Sequence, residues 1–209
     1  MKLLIIGASR GIGAELCKQA LAADHEVTVL ARRPAAIPCA APLTVLEGDI
    51  RDHQAVNAAV QGRDAVCLTI GVPITFATVT VFSAGTRNVL MAMQEHGVKR
   101  LVCVTGIGAG DSRGHGGFLY DRIFKPLFLK TIYQDKDLQE RYIAASDRLW
   151  TIVRPAGLTN GPRTGDYRVL TDLHGVTATR ISRADVADFI LVELLRGTYI
   201  GQTPLLMYG

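Results

Sequence analysis

Three glycines near the N-terminus have the spacing of a phosphate-binding turn. Gly7, Gly11 and Gly13 follow an apolar run and precede a helical pattern. The first glycine would let the chain leave a strand sharply, the second would let the backbone approach a phosphate, and the third would let helix and strand pack closely. Because the helix would offer unpaired amide groups to an anion, the turn predicts a dinucleotide site rather than an ordinary strand-to-helix turn. Its other predicted contacts are Ser9, Arg10 and Ile12.

Two arginines stand where the second predicted strand ends. Folds that prefer NAD usually carry a carboxylate there to bind the ribose hydroxyls, and this chain has Arg32 and Arg33 instead. Arginine binds phosphate through a bidentate fork and stays charged at every relevant pH. We therefore expect NADP(H) rather than NAD(H), with Arg32 as the main ligand of the 2′-phosphate and Arg10 beside it. A solvated basic loop before Pro34 is the alternative.

Apolar, β-branched runs alternate with helical patterns along the whole chain. This alternation predicts an α/β fold, with a Rossmann-type doubly wound parallel sheet covered by helices on both faces. The length of 209 residues fits a single domain over 1–209. Strands are expected near 3–6, 26–31, 43–48, 65–70, 101–105, 151–154 and 204–207. Helices are expected near 12–23, 53–61, 80–96, 131–146 and 183–196.

The glycine spacing also carries a family resemblance. The pattern Gly-x-x-x-Gly-x-Gly, with Ala8, Ser9 and Arg10 between its first two glycines, resembles the short-chain dehydrogenase/reductase superfamily. That resemblance implies NAD(P) as ligand and one Rossmann domain that also contains the substrate site. The stretches 146–155 and 181–189 are similar to an atypical branch of it. This branch comprises the NAD(P)H-binding proteins related to NmrA and to biliverdin reductase B, a flavin reductase.

Residues after the carboxyl ends of the strands are the expected ligand contacts, because open parallel sheets bind ligands there. In the resembled superfamily, an aspartate and the apolar residue after it hold the adenine, and Asp49 and Ile50 match them. The expected backbone contacts with the ribose and pyrophosphate follow the fourth strand. They are Thr69, Ile70 and Gly71.

The nicotinamide end is expected after the fifth and sixth strands. Thr105 ends the fifth strand and should point toward it. In the superfamily, a proline followed by a small residue packs against the nicotinamide and binds its carboxamide through main-chain groups. The residues that match this pattern are Pro155, Ala156, Gly157 and Leu158.

The candidate catalytic residues depart from the usual spacing of the superfamily. The best-known short-chain reductases use a Tyr-x-x-x-Lys pair, and no tyrosine of this chain has a lysine four residues later. Tyr133 and Lys136 are three residues apart on a predicted helix and are the candidate catalytic pair. The resembled branch implies NADPH-driven reduction of a flavin, a quinone or a similar conjugated acceptor. Relatives of biliverdin reductase B carry a serine and a histidine where this chain has Gly106 and Ala156, which argues against biliverdin as substrate.

Two other functions fit parts of this pattern. The missing Tyr-x-x-x-Lys pair, together with Gly106 and Ala156, also fits a non-catalytic, NmrA-like NADP(H)-sensing regulatory protein with a protein partner. A sugar-nucleotide epimerase is less favoured than the reductase and the sensor, because the chain is short for an epimerase and lacks the Tyr-x-x-x-Lys pair.

A glycine-rich loop at 106–117 and the apolar segments 118–120 and 123–129 mark the expected substrate side. The loop could act as a mobile lid, and the apolar segments could form a wall for a flat, partly apolar small molecule. The alternative is packing on the core, on a second subunit of a homo-oligomer or on a protein partner. Positive charges that would attract an anionic acceptor are Arg113, Arg122, Lys125 and Lys130.

Composition argues against several other classes. The net charge of +4 suits an anionic ligand, but without a basic cluster it predicts no nucleic-acid partner. No apolar run is long enough to span a bilayer and the first strand starts at residue 2, so we expect no membrane, no signal peptide and a cytoplasmic protein. The histidines lack ligand spacing and no Cys-x-x-Cys pair occurs, so no metal site is predicted. The residues expected as reduced core thiols are Cys17, Cys39, Cys67 and Cys103.

Overall fold

The computed structural model describes residues 1–37, 42–118 and 120–209, with the backbone alone for residues 120 and 125. Strands alternate with helices over most of the chain, but four strands follow one another between 149 and 182. The strands are β1 (Lys2–Ile6), β2 (Glu26–Ala31), β3 (Leu43–Glu47), β4 (Ala65–Leu68), β5 (Arg100–Val104), β6 (Leu149–Pro155), β7 (Gly157–Thr159), β8 (Arg168–Leu170), β9 (Arg180–Ser182) and β10 (Leu205–Met207). The α-helices are α1 (Gly11–Ala22), α2 (His53–Val60), α3 (Val81–Glu95), α4 (Lys130–Ala144) and α5 (Arg183–Arg196). Short 3-10 turns occupy Pro34–Ala36 and Gly110–Ser112, and a π-helical segment occupies Tyr120–Leu129.

The main sheet has eight strands in the order β3-β2-β1-β4-β5-β6-β10-β8. Its neighbouring strands are parallel except at one edge, where β8 runs antiparallel to β10. The chain goes from β1 to β2 and β3 on one side and then returns to place β4 on the other. The crevice beyond β1 and β4 is therefore the topological switch point, where ligands of open α/β sheets bind. The predicted single-domain, doubly wound fold is confirmed.

Helices cover both faces of the sheet, as its apolar strands require. Alternate residues of β1 point to opposite faces. Leu3 and Ile5 lie in a buried cluster with side chains of α1 and α5, whereas Leu4 and Ile6 lie in a second cluster with α2, α3 and α4. The sheet thus separates two cores, and the ends of its strands remain as the place for a ligand.

The helix predictions agree with the structure to within two residues at each end. Asp52 caps α2 by accepting a hydrogen bond from Gln54 N at 2.9 Å, and Ser182 caps α5 through Asp185 N at 2.9 Å. The sequence pattern did not indicate β7, β8 and β9, because three residues are too few to show an alternation. It also gave no sign of the π-helical turn geometry at Tyr120–Leu129.

Buried thiols agree with the sequence expectation. Cys17, Cys67 and Cys103 are free and buried, and Cys39 lies outside the described residues. None of the helices in the described part of the chain is long and apolar enough to cross a membrane. Among the same residues, no group of three His, Cys, Asp or Glu side chains could hold a metal ion.

Candidate functional site

The glycine loop between β1 and α1 packs through its backbone against the end of β4. Gly7 has a φ of +105°, and a Cβ built on it would lie 2.7 Å from the Thr69 carbonyl carbon. A Cβ on Gly13 would lie 2.5 Å from Thr69 Oγ1 and closer still to the Gly7 carbonyl oxygen. Side chains do not pack at such distances, so both positions require glycine. The structure therefore brings Gly7, Gly13 and Thr69 together in one tight crossing of strand and helix.

Gly11 differs from these two glycines because its surroundings are open. Its φ is +64°, and the nearest described atom to a Cβ built on it is Arg183 Nε, at 3.6 Å. Arg10, directly before α1, is extended, and within the described structure its side chain makes no capping hydrogen bond. Ser9 is exposed, whereas the Ile12 side chain is buried, so Ile12 can meet a ligand only through its backbone. The loop and the uncapped amides of α1 fit the pyrophosphate of a dinucleotide.

The predicted adenosine end is rich in arginine. Arg32 and Arg33 are exposed where β2 ends. Arg51 binds both carboxylate oxygens of Asp49: Oδ1 accepts from its backbone N at 2.9 Å and from Nε at 3.0 Å, and Oδ2 accepts from Nη2 at 2.7 Å. The Arg51 hydrogen bonds lower the pKa of Asp49 to about 2, with a smaller contribution from the charge of Arg32. Sequence reasoning missed Arg51, although its place two residues after Asp49 was an available signal.

The side chain of Ile50 belongs to the core. It is buried, and a Cβ built on Gly85 of α3 would lie 2.7 Å from its Cδ1. The Ile50 carbonyl accepts a hydrogen bond from Asn88 Nδ2 at 3.0 Å. A ligand contact from Ile50 would therefore have to come from its backbone amide, as the superfamily pattern implies.

The segment after β4 lies beside the glycine loop. Thr69 donates to the Ile6 carbonyl from its backbone N at 2.9 Å and from Oγ1 at 3.2 Å, which ties the ends of β4 and β1 together. Ile70 packs partly against the core, whereas no described atom lies within 4 Å of a Cβ built on Gly71. The open position of Gly71 leaves room for a ligand to approach the backbone.

Tyr133 and Lys136 of α4 both reach the carboxyl end of β5. The Tyr133 hydroxyl donates to the Ile107 carbonyl at 2.8 Å, and Lys136 Nζ donates to the Thr105 carbonyl. Lys136 Nζ also lies 5.2 Å from the centre of the Phe82 ring. Burial lowers the pKa of Lys136 from 10.5 to about 8. The structure thus brings the candidate catalytic pair and Thr105 together at one strand end.

A buried ion-pair network lies behind this strand end. Glu140 Oε1 accepts from Thr105 Oγ1 at 2.6 Å and from Arg154 Nε at 3.1 Å, while Oε2 accepts from Arg154 Nη2 at 2.7 Å. Arg154 also pairs with Asp111. The Arg154 and Glu140 side chains are only 4% and 8% exposed. Sequence reasoning missed both residues, and a single sequence gives no signal for such a pairing between a helix and a strand.

The segment after β6 has a buried start and an exposed continuation. The Pro155 carbonyl accepts from Ile107 N at 3.1 Å, which connects it to the end of β5. Ala156 is buried, whereas Gly157 and Leu158 lie exposed on β7. The predicted nicotinamide contacts are therefore split: Pro155 is bonded to the end of β5, Ala156 is buried and bonded to Leu206 of β10, and the other two lie at the surface.

The glycine-rich loop, expected as a mobile lid, is anchored in the structure. Ser112 is fully buried, and its hydroxyl accepts from Gly108 N at 2.9 Å and donates to the Ala109 carbonyl at 2.6 Å. Gly110 N donates to Asp137 Oδ1 of α4 at 2.9 Å. The Ser112 bonds fix the shape of the loop, and the Asp137 bond holds it against the helix that carries the candidate catalytic pair.

An exposed group of apolar side chains, here called the aromatic patch, lies beside the start of α4. The Phe128 ring lies 6.3 Å from the Phe76 ring and 5.4 Å from the Phe124 ring, measured between ring centres. The loop after β4 and the π-helical segment thus meet at the surface. The patch consists of Ile74, Phe76, Ile123, Phe124, Leu127 and Phe128.

A doubly wound sheet with an open glycine loop at its switch point defines a dinucleotide-binding Rossmann protein. The model of a protein family described as NAD(P)H-binding matches residues 7–196, which is most of the chain. The chain therefore belongs to this NAD(P)H-binding family, whose members are oxidoreductase-like and epimerase-like proteins.

Two curated relatives cover most of the chain. YhfK of Bacillus subtilis, named as an uncharacterized sugar epimerase, is 29% identical over 201 residues, which cover 93% of this chain and 88% of YhfK. A 3β-hydroxysteroid dehydrogenase/Δ5→4-isomerase of Mycobacterium tuberculosis is 30% identical over 184 residues, or 78% of this chain. The chain spans about half of that second relative, 49% of its length.

Solved structures share the fold. ChuY, an anaerobillin reductase from Escherichia coli O157:H7, is 24% identical with a TM-score of 0.79, over 98% of this chain and 95% of ChuY. A short-chain dehydrogenase/reductase from Veillonella parvula, crystallised in complex with NADP, is 18% identical with a TM-score of 0.82, over 98% and 93% of the two chains. At these identities the likeness shows the fold alone.

Proposed function

We propose that this protein is an NADPH-dependent oxidoreductase that transfers hydride to a flavin, a quinone or a similar conjugated acceptor. The observation that carries the proposal is the convergence of Tyr133 and Lys136 on the end of β5, at the start of the helix that follows the aromatic patch. A bound nicotinamide would supply the hydride. This chain would hold the cofactor, orient the acceptor and provide a proton, all within the one domain over 1–209.

NADP(H) is the proposed cofactor. In this proposal the glycine loop holds the pyrophosphate and the arginines after β2 bind the 2′-phosphate. The exposed guanidinium groups of Arg32 and Arg33 support the choice, because a bidentate fork recognises phosphate more strongly than it recognises a ribose hydroxyl. The pairing of Asp49 with Arg51 adds a third arginine to the same corner.

Lys136 is the proposed proton source. Its ammonium group is held at the Thr105 carbonyl, and burial gives it a pKa of about 8, which suits a general acid near neutral pH. The Tyr133 hydroxyl lies at the same strand end, where it donates to Ile107. A conjugated acceptor spreads the added charge over its own ring system, so a single weak acid is enough to complete its reduction.

The acceptor is proposed to be flat, partly apolar and anionic. The rings of the aromatic patch offer stacking surface. Arg122 and Lys130 are exposed on the same segment and at the start of α4, so they add positive charge around the patch. Arg113 contributes less, because it is paired with Asp137.

The direct test is NADPH oxidation by the purified protein, with FMN, riboflavin, a benzoquinone and a redox dye as acceptors and with NADH in parallel. We expect turnover with NADPH and little with NADH, and the best acceptor would identify the ring chemistry of the substrate. Binding of NADPH without turnover of any of these acceptors would overturn the reductase proposal.

Substitutions on α4 test the proposed proton source. Lys136→Met should lower turnover by about a hundredfold, a typical contribution of general acid catalysis. Tyr133→Phe should lower turnover by less, because its hydroxyl holds the end of β5 through Ile107, and the Kd for NADPH should change little in both variants. Tyr142→Phe makes the same chemical change further along the same helix and is the matched control, with wild-type turnover expected. Full activity in both Tyr133→Phe and Lys136→Met would remove the pair from the mechanism.

A non-catalytic NADP(H) sensor is the second candidate function. It is favoured by the scarcity of polar groups at the nicotinamide end, where Gly106 has no side chain, Ala156 is buried and the Thr105 hydroxyl is bound to Glu140. In a sensor, the aromatic patch would be the surface for a protein partner or a second copy. Tight NADPH binding with no consumption in the acceptor test would favour this function over the reductase.

A further inference from the structure

We propose that Arg183, the first residue of α5, is a ligand of the cofactor pyrophosphate. The family pattern places the phosphates at the glycine loop between β1 and α1, and it does not include this residue. The inference rests on dinucleotide binding at that loop, and it holds for a reductase and for a sensor alike.

The position of Arg183 is the first argument. A Cβ built on Gly11 would lie 3.6 Å from Arg183 Nε and 3.8 Å from its Cδ, the two nearest atoms among the described residues. Gly11 is the loop position that leaves the backbone open for a phosphate. A guanidinium at van der Waals distance from that open position can reach an anion bound there.

The present partner of Arg183 is the second argument. Its Nη1 donates to Asn160 Oδ1 at 2.7 Å, a hydrogen bond to a neutral amide at a partly exposed site. A guanidinium has five donors, and its bonds to phosphate oxygens are about twice as strong as bonds between neutral groups. A pyrophosphate at Gly11 is therefore a better partner for Arg183 than Asn160 is.

The backbone around Arg183 is firmly held. Ser182 caps α5, with its Oγ accepting from Asp185 N at 2.9 Å, and Gln19 Nε2 of α1 donates to the Ala184 carbonyl at 2.9 Å. The start of α5 is thus tied to α1, the helix whose first turn faces the phosphate. Only the Arg183 side chain has to move when it changes partner, so little order is lost or gained on binding.

The proposed role separates Arg183 from Arg32. A 2′-phosphate occurs only in NADP(H), whereas the pyrophosphate is common to NADPH and NADH. Loss of a pyrophosphate ligand should therefore weaken both cofactors by the same factor, and loss of a 2′-phosphate ligand should weaken NADPH alone.

The test is titration of the full-length protein with NADPH and with NADH, followed by cofactor fluorescence. Arg183→Gln should raise both Kd values about tenfold and leave their ratio unchanged, because one charge-assisted bond is lost. Arg183→Lys should keep part of the affinity, since it keeps the charge without the fork. Arg168→Gln, which removes the same charge from β8 at the far edge of the sheet, is the control and should bind as wild type.

Two outcomes would overturn the proposal. One is an Arg183→Gln protein with unchanged Kd values, or with weaker NADPH binding alone. The other concerns Asn160→Ala, which removes the competing partner and should bind both cofactors as well as wild type or better. If Asn160→Ala weakens both cofactors as much as Arg183→Gln does, the pair of residues acts through local structure and not through the phosphate.

Discussion

The two ends of the candidate cleft are built in opposite ways. At the proposed phosphate end, Gly7 and Gly13 lack side chains, so that strand and helix can meet closely. At the nicotinamide end, Glu140 binds both Arg154 and the Thr105 hydroxyl. A site made of main chain needs only a short local motif, whereas a site made of paired side chains needs residues from several elements.

The difference has an energetic consequence. The cost of removing the Arg154 and Glu140 charges from water is offset only while both partners are present. The glycine loop carries no such charge pair, and it is sensitive to added volume instead. Loss of a charged side chain should therefore destabilise the nicotinamide end most. An added methyl group should destabilise the phosphate end most.

Glu140→Ala should give the largest loss of stability. Among the described residues, it would leave the buried Arg154 guanidinium with the exposed Asp111 carboxylate as its ion-pair partner. Breaking a buried pair costs about 3–5 kcal/mol of unfolding free energy. Equilibrium urea unfolding measures the loss. Lys99→Ala breaks an exposed pair with Asp147 and should change stability by less than about 1 kcal/mol. Equal losses in the two variants would mean that burial of the network contributes nothing.

Gly13→Ala tests the opposite kind of damage. The new methyl group would collide with Thr69 Oγ1 and the Gly7 carbonyl, so α1 must move away from β1 at a cost of about 1–3 kcal/mol. Because the start of α1 moves with it, the affinity for NADPH should fall as well. Gly161→Ala is the control, since a Cβ there would sit at an ordinary contact distance of 3.6 Å from its nearest described neighbour. NADPH affinity that survives Gly13→Ala would argue against pyrophosphate binding at this loop.

The fold and the strand-to-helix turn at the glycine loop could be predicted because their signals are local. Apolar runs and helical periodicity lie within single elements, and the three glycines lie within seven residues of one another. The right-handed crossover rule then predicts a doubly wound sheet with helices on both faces. The strand-to-helix geometry at Gly7 and Gly13 is what their spacing predicts.

The paired side chains behind the nicotinamide end could not be predicted in the same way. Glu140 and Arg154 lie on different elements, and nothing in a single sequence says that a helix carboxylate will pair with a strand guanidinium. The loop at 106–117 illustrates the same limit, because its glycines favour mobility while Asp137 of α4 anchors it through a tertiary hydrogen bond to Gly110 N. The structure of this region depends on pairing between residues that are distant in sequence, and local composition gives no signal for such pairing.

Arg32→Asp tests cofactor choice at the phosphate end. A carboxylate in place of the guanidinium would repel the 2′-phosphate and could bind ribose hydroxyls, so the ratio of NADPH to NADH affinity should fall about a hundredfold. Titration with each cofactor gives the ratio. Arg33→Asp is the matched control, with a smaller change expected. An unchanged ratio in Arg32→Asp would contradict the assignment, and a larger change in Arg33→Asp would transfer the role to its neighbour.

The smallest expected effect is a pH dependence at the nicotinamide end. Burial lowers the pKa of Lys136 to about 8, so its ammonium form dominates below that pH and is lost above it. If the ammonium supplies the proton, turnover should be level below pH 7 and fall about tenfold per pH unit well above the pKa. Lys136→Arg stays charged at these pH values, so its turnover should be lower but should not fall in this range.

The lowered pKa of Lys136 affects stability in the opposite direction from turnover as the pH rises. The folded protein holds fewer protons at Lys136 than the unfolded chain between pH 8 and 10.5, so the contribution of this residue to the unfolding free energy rises with pH in that window. Between pH 8 and 10.5, turnover should therefore fall while the contribution of Lys136 to the unfolding free energy rises. Lys136→Met should remove that rise in the unfolding free energy. The contrary outcome is a fall in turnover that follows a loss of stability in the wild type and that also occurs in Lys136→Arg. That outcome would assign the pH effect to unfolding and not to the proton on Lys136.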